Sequence, residues 1–153
     1  MEIREYREAD LEAIVRLFYD TVHSINIQDY SSAQVEAWTA GIDMERWNST
    51  LSEHLSLVAL DGSLVIGFGD IDKSAYLDRL YVHHMYQRQG VGTALCDRLE
   101  SSAEGRPIRV HASITAKPFF EKRGYRVLKS QIIERNGVLI PNYIMELDAS
   151  AKI

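Results

Sequence analysis

The residues best suited to chemistry are the string Gln87-Arg88-Gln89-Gly90-Val91-Gly92-Thr93 and, upstream of it, the acid Asp78. A strand-like run, Tyr76 to Val82, leads through a short loop into the string, and the residues after Gly90 read as a helix. The first N–H groups of a helix have no carbonyl partner within it and sit at the positive end of its dipole. An anion placed there can accept several hydrogen bonds at once. Gly90 and Gly92 remove side chains that would hold the backbone away from a pyrophosphate, while Thr93 can add a hydroxyl and Arg88 a charge. The string is not a Walker A loop, because no Gly-Lys-Ser/Thr follows, and it lacks the three-glycine dinucleotide fingerprint. On its two glycines alone it would also suit an ordinary helix start.

Asp78 is unusual as an acid in an otherwise apolar strand, which makes it a candidate base. The competing reading is a structural carboxylate paired with Arg79 or with a neighbouring strand. Asp72 and His83 stand behind it as base candidates. The five histidines, at 23, 54, 83, 84 and 111, form neither a His-x-x-x-His nor a His-Glu-x-x-His arrangement, so no metal is expected. The single cysteine, Cys96, falls one turn inside a helix, where a small buried hydrophobe is the usual role.

These groups need a scaffold, and its elements are legible in the apolar spacing. Ile3 to Tyr6 reads as a strand. A helix beginning at Glu8-Ala9-Asp10 carries Leu11, Ile14, Val15, Phe18, Tyr19 and Val22 at helical period. Ser31-Ser32-Ala33-Gln34 is a capped helix start, with Val35 and Trp38 on its apolar face and Gly41 as its stop. His54 to Ile71 reads as a hairpin around Asp61-Gly62, and Ala75 to Val82 as a third strand. A helix over Gly90 to Ala103, a strand over Ile108 to Ala112 and a short helix over Thr115 to Lys122 follow, the last capped by Gly124. Val127 to Leu147 makes a second hairpin around Asn136-Gly137. The expected fold is α+β, in the order βααβββαβαββ: a mixed, mostly antiparallel central sheet with helices on both faces.

At 153 residues, 46% hydrophobic and 25% charged, the chain is expected to form one domain over residues 1–153. A net charge of -5 with no Lys/Arg cluster excludes a nucleic-acid surface as the main business of the protein. One cysteine allows no internal disulfide, and no apolar run reaches the ~20 residues of a membrane span. The N-terminus is charged from its second residue and lacks a signal-peptide pattern, so a cytoplasmic protein with no membrane partner is expected.

The complete string Gln87 to Gly92 resembles the pyrophosphate loop of the GCN5-related N-acetyltransferase (GNAT) superfamily, Gln/Arg-x-x-Gly-x-Gly/Ala. Leu80-Tyr81-Val82 is similar to that family's splayed fourth strand, and Ser113 to Tyr125, with Ala116, Phe119 and Phe120, to its second signature helix. The tail around Ile133 to Leu139, Asn142 and Met145-Glu146, with Gln34 to Trp38, resembles the YafP-like branch. The resemblance implies acetyl-CoA as co-substrate and a primary amine of a small molecule or peptide as acceptor, attacking the thioester directly. It places the coenzyme on Leu80, Tyr81, Val82, Gln87, Arg88, Gln89, Gly90, Val91, Gly92, Thr93 and Phe119, with the Val82 N–H facing the thioester carbonyl. It also puts Asp78 in the strand whose opened end faces the acceptor, where it could take the amine proton directly or through water, and homodimers are common among such folds. The family often has a tyrosine as proton donor to the coenzyme thiolate, where this chain has Phe120, and an asparagine where it has Ser113. Tyr125, Ser113 and water are the substitutes. The same departure keeps a non-catalytic acyl-CoA-binding module as the alternative. His23, Tyr30, Trp38 and Trp47 fall in the region that lines the acceptor pocket in the family, either to clasp an amine or simply to pack the helices. A nucleotide kinase is disfavoured by the missing phosphate-binding lysine and metal carboxylates.

Overall fold

The computed structural model describes residues 1–148. Strand β1 (Glu2–Glu5) is followed by helices α1 (Leu11–Ser24), α2 (Ser32–Thr39) and α3 (Met44–Glu53), then β2 (Leu55–Asp61), β3 (Leu64–Ile71) and β4 (Tyr76–Val82). Helix α4 (Val91–Ser101), β5 (Ile108–Ala112), α5 (Lys117–Lys122), β6 (Arg126–Arg135) and β7 (Val138–Leu147) complete the order. The seven strands form one sheet, β1-β2-β3-β4-β5-β7-β6, antiparallel at every pair except β4–β5. This is the expected mixed sheet, with one helix more than the sequence spacing predicts.

That extra helix is α3. Its side chains Met44, Trp47 and Leu51 recur at helical spacing, but only Leu51 is buried, and Asn48-Ser49-Thr50 are indifferent helix formers. Tertiary contact decides the matter. Asp43 caps the helix, its Oδ1 accepting from the Arg46 N–H at 3.2 Å, and Trp47 lies against Phe18 and Phe68.

Strand alternation sends side chains to two cores. In β2, Leu57 and Ala59 face α4, while Val58 and Leu60 face α1. The α1 side gathers Ile14, Leu17, Phe18 and Val22 with Phe68, and the α4 side gathers Leu95, Cys96 and Leu99 with Leu77 and Met145. Each such side chain, fully buried, contributes about 1.5–3 kcal/mol. Helix α4 sits very close to β3. A Cβ at Gly67 would come within 2.9 Å of Val91 Cγ1, and one at Gly69 within 2.9 Å of Leu99 Cδ1.

Two irregularities in β4 create the site. Its parallel pairing with β5 covers only Tyr76↔Arg109 and Leu77↔Val110, after which the two strands diverge. Against β3, the register passes from Ile71↔Leu77 to Asp70↔Arg79, so Asp78 is the extra residue of a β-bulge. The bulge resets the alternation. Leu77 joins the α4 core, whereas Arg79 and Tyr81 turn to the α1 side.

Candidate functional site

Where β4 leaves β5, a wedge opens through the sheet. The N–H of His83 donates to Ile66 O at 2.8 Å, and antiparallel pairing alternates, so Leu80 and Val82 turn their N–H and C=O groups away from β3 into the wedge. On one side it continues into a narrow cavity of about 200 Å³ lined by Leu80, Tyr81, Val82, Gln87, Gly92 and Phe119. On the other it opens into a cavity of about 730 Å³ walled by the α1–α3 helices and by β6 and β7. Trp38, Asp78, Arg79, Tyr81, His111 and Ser113 line both.

Helix α4 starts at the mouth of the narrow cavity. Gly90, its cap, has φ +84°, a left-handed conformation with nothing within 4 Å of where a Cβ would stand. The first intrahelical bond is Ala94 N–H to Gly90 O, which leaves the N–H groups of Val91, Gly92 and Thr93 without helical partners. Gly92 faces the Phe119 ring, which a Cβ there would meet at 3.4 Å. Gln87 bonds through its side chain to the protein itself. Its Nε2 donates to Val82 O at 2.7 Å, fastening the loop to the end of β4, and Thr21 Oγ1 donates to the same carbonyl at 3.2 Å. Arg88, Gln89 and Thr93 are exposed around the cap, and the Val91 side chain is buried beneath it.

Asp78 sits in a charged cluster that sequence spacing does not reveal. Asp70, fully buried on β3, accepts from Arg79 Nε at 3.1 Å and Nη2 at 2.7 Å, and its Oδ2 bonds His54 Nδ1 at 2.7 Å. Arg79 also reaches Asp78 at 3.8 Å and lies 4.6 Å over the Trp47 ring. Burial, reinforced by the Asp70 charge, pushes the Asp78 carboxyl above the ordinary aspartate value, against the pull of Arg79 and His54. The hydrogen bond to Asp70 raises His54. Ligand atoms of His54, Asp70 and Asp78 lie within 4.8 Å of one another, but the Arg79 guanidinium engages both Asp70 oxygens inside that group.

The proton-donor candidates separate. Ser113 lines both cavities, and its Oγ accepts from Ala116 N–H at 3.0 Å and from Asn26 Nδ2 at 3.4 Å, so its own proton is available to donate into the wedge. Tyr125 lies outside both cavities, 3% exposed, with its hydroxyl donating to Glu100 at 2.8 Å. Burial and Glu100 push its pKa up, making it a poorer acid. Phe120 is buried beside it. Asp72 closes its own turn, its Oδ1 accepting from Ser74 and from Tyr76 N–H, while His83 Nδ1 accepts from Met85 N–H.

Of the aromatic residues flagged in the sequence, Trp38 and Trp47 wall the wide cavity. Tyr30 also borders it, but its hydroxyl donates to Pro141 O at 2.7 Å and accepts from Ile114 N–H at 2.9 Å. His23 is engaged with Thr39 and stacked on Tyr19. Arg46 and Arg135 also line the wide cavity with no signal in the sequence, and Asn142, noted there only for its family resemblance, carries a buried Oδ1 with no partner among the described residues. An acid at Asp70, inside the apolar run Leu64–Ile71, is the signal that would have found the charged cluster.

Comparison with known proteins agrees with this fold. Residues 26–147 match the family model described as the acetyltransferase (GNAT) domain. The chain is 36% identical over 146 residues to an uncharacterized N-acetyltransferase, YafP, of Escherichia coli strain K12, an alignment spanning 95% of this chain and 94% of that protein. A crystal structure of a GCN5-related N-acetyltransferase from Rhodopseudomonas palustris superposes with a TM-score of 0.92 at 32% identity, over 96% of this chain and 94% of that one. The fold is shared more distantly with the PaiA N-acetyltransferase of Thermoplasma acidophilum, solved in complex with coenzyme A: TM-score 0.80, 21% identity, 96% of this chain and 98% of that one.

Proposed function

Because this chain belongs to the acetyltransferase (GNAT) family, alongside YafP, we propose that it moves an acetyl group from acetyl-CoA to a primary amine by direct attack of that amine. The observation that carries the reading is the wedge between β4 and β5. It joins a helix N-terminus suited to a pyrophosphate with a cavity that has a carboxylate of raised pKa at its inner end.

The coenzyme fits the residues present. Three partnerless N–H groups at the start of α4, the side-chain-free space at Gly90 and the glycine facing Phe119 suit its pyrophosphate, and the Leu80 and Val82 N–H groups, turned away from β3, suit an amide-bearing arm. When bound it supplies an activated acetyl thioester. The remaining work falls to the chain. The Val82 N–H, turned away from β3, would stabilise charge on the thioester oxygen. Asp78, directly or through one water, takes the proton of the attacking amine. Ser113 or water returns a proton to the leaving thiolate, whose ordinary pKa near ~8.5 makes that demand modest. Holding amine and thioester together can contribute several of the roughly 7–11 kcal/mol available from orientation in ideal cases.

The test is thiol release from acetyl-CoA across a panel of primary amines, with calorimetry of coenzyme binding alone. Amine-dependent release is the expected result. The burial of Phe120 where a tyrosine acid is common favours a second reading, a non-catalytic acyl-CoA-binding module. Coenzyme binding without release on any amine would select it.

A further inference from the structure

We infer that the wide cavity takes an amine whose far end carries a carboxylate, with an apolar body between the two. The inference rests on the acetyltransferase reading and names the class of acceptor. The cavity has a polarity along its length. At its inner end, shared with the coenzyme side, lies Asp78, the group suited to an incoming ammonium. Three arginines line it: Arg46 on α3, Arg79 on β4 and Arg135 at the end of β6. Arg79 is spent on Asp70, whose oxygens it binds at 2.7 and 3.1 Å. Arg46 and Arg135 join no ion pair among the described residues, and both are exposed.

Arg46 and Arg135 both line the wide cavity and neither lines the narrow one, whereas Asp78 lines the two, so the guanidiniums stand on the acceptor side of Asp78, away from the coenzyme loop. The other carboxylate lining the cavity, Asp43, is engaged in capping α3. A chain of net charge -5 therefore turns two uncommitted guanidiniums toward its acceptor cavity. A second ammonium, as in a polyamine, would meet repulsion there, whereas a carboxylate would find the charge-assisted donors that Arg presents in a planar fork. The walls also include Phe18, Trp38, Trp47 and Ile133, surfaces for an apolar body.

The chain has two tryptophans, Trp38 and Trp47, and both line this cavity, so intrinsic fluorescence reports its occupancy whether or not transfer occurs. The coenzyme-saturated protein is titrated with aminocaproate, hexylamine and hexamethylenediamine, three amines of matched length. Aminocaproate is expected to bind at least about fivefold tighter than hexylamine, and the diamine weakest, from one exposed ion pair at the upper end of its range. Arg46→Gln and Arg135→Gln are each expected to weaken aminocaproate by about fivefold, and Arg135→Lys to restore part of the loss, with thermal melting as the check on folding. Equal or tighter binding of hexylamine or the diamine, unaltered binding by both glutamine variants, or no binding of any of the three overturns the inference. Acetylation of hexylamine with aminocaproate ignored would sink it and leave the transferase intact. Binding of aminocaproate without thiol release would do the reverse.

Discussion

The fully buried carboxylate of Asp70 is bound through both oxygens by the Arg79 guanidinium, at 3.1 and 2.7 Å, one residue beyond the bulge that presents Asp78. The pair links β3 to β4 where β4 stops pairing with β5, so it holds the wedge in shape as well as neutralising charge. Removing one partner of a buried pair leaves an uncompensated ion. Asp70→Asn is therefore expected to cost about 3–5 kcal/mol in urea unfolding, far more than an exposed acid would.

Asp78 should report itself in a pH profile. Its carboxyl is raised above the ordinary aspartate value, so the rising limb of kcat/KM is expected at a higher pH than the ~3.9 of a free aspartate. Asp78→Asn should remove that limb and lower kcat/KM by about 10²–10⁴ on a good amine. A full rate in the variant across the pH range would return Asp78 to a structural role.

His54 makes stability, rather than rate, depend on pH. Its folded pKa lies above the ordinary 6.5 because Asp70 holds the imidazolium. The stabilisation is complete below that value and declines as pH rises through the folded pKa. Thermal melts should show a shallow loss above neutrality that vanishes in His54→Gln.

Tyr125→Phe separates a structural phenol from a catalytic one. The hydroxyl donates to Glu100, which Arg123 also engages at 2.7 and 3.0 Å, tying α4 to the start of β6. Loss of that bond should cost about 1.5–3 kcal/mol of stability, with kcat/KM near wild type at a temperature where both proteins are folded. A large fall in kcat alone would reinstate Tyr125 as the acid.

The loop makes the sharpest test of coenzyme binding. Gly92→Glu would drive a side chain against Phe119 and add negative charge at the start of α4, and is expected to abolish binding by calorimetry. Gly90→Ala meets no neighbour but must hold φ +84°, so about 1–2 kcal/mol of strain and a weaker, not absent, affinity are expected. Equal affinity in both variants would remove the loop from the coenzyme site.

Much of this architecture is local, and local features are legible in a sequence. Apolar period located β2 to β4, α4 and β5, because those segments bury one face or both against the cores. Helix α3 escaped because its burial is supplied by Phe18 and Phe68 from elsewhere, with a single fully buried position of its own. The bulge at Asp78 escaped for a related reason. Leu77, Arg79 and Tyr81 look like one face of a regular strand, and only the pairing with Asp70 and Ile71 shows the parity shift. The same shift hides the Asp70–Arg79 pair and the cluster around Asp78. Arg46 and Arg135 lie 89 positions apart on surface segments, and no periodicity can bring them to one cavity.

The divergence of β4 from β5 also bears on solvent exchange. Leu80 and Val82 hold backbone amides in the middle of a seven-stranded sheet, flanked by strands on both sides, yet aimed into open space. Elsewhere in such a sheet, amides exchange their hydrogens only on large-scale opening. These two should exchange at rates typical of a loop in the unliganded protein and slow by orders of magnitude when a ligand lies along β4. Deuterium uptake at two residues would then follow coenzyme occupancy directly, even in a variant that cannot complete a turnover.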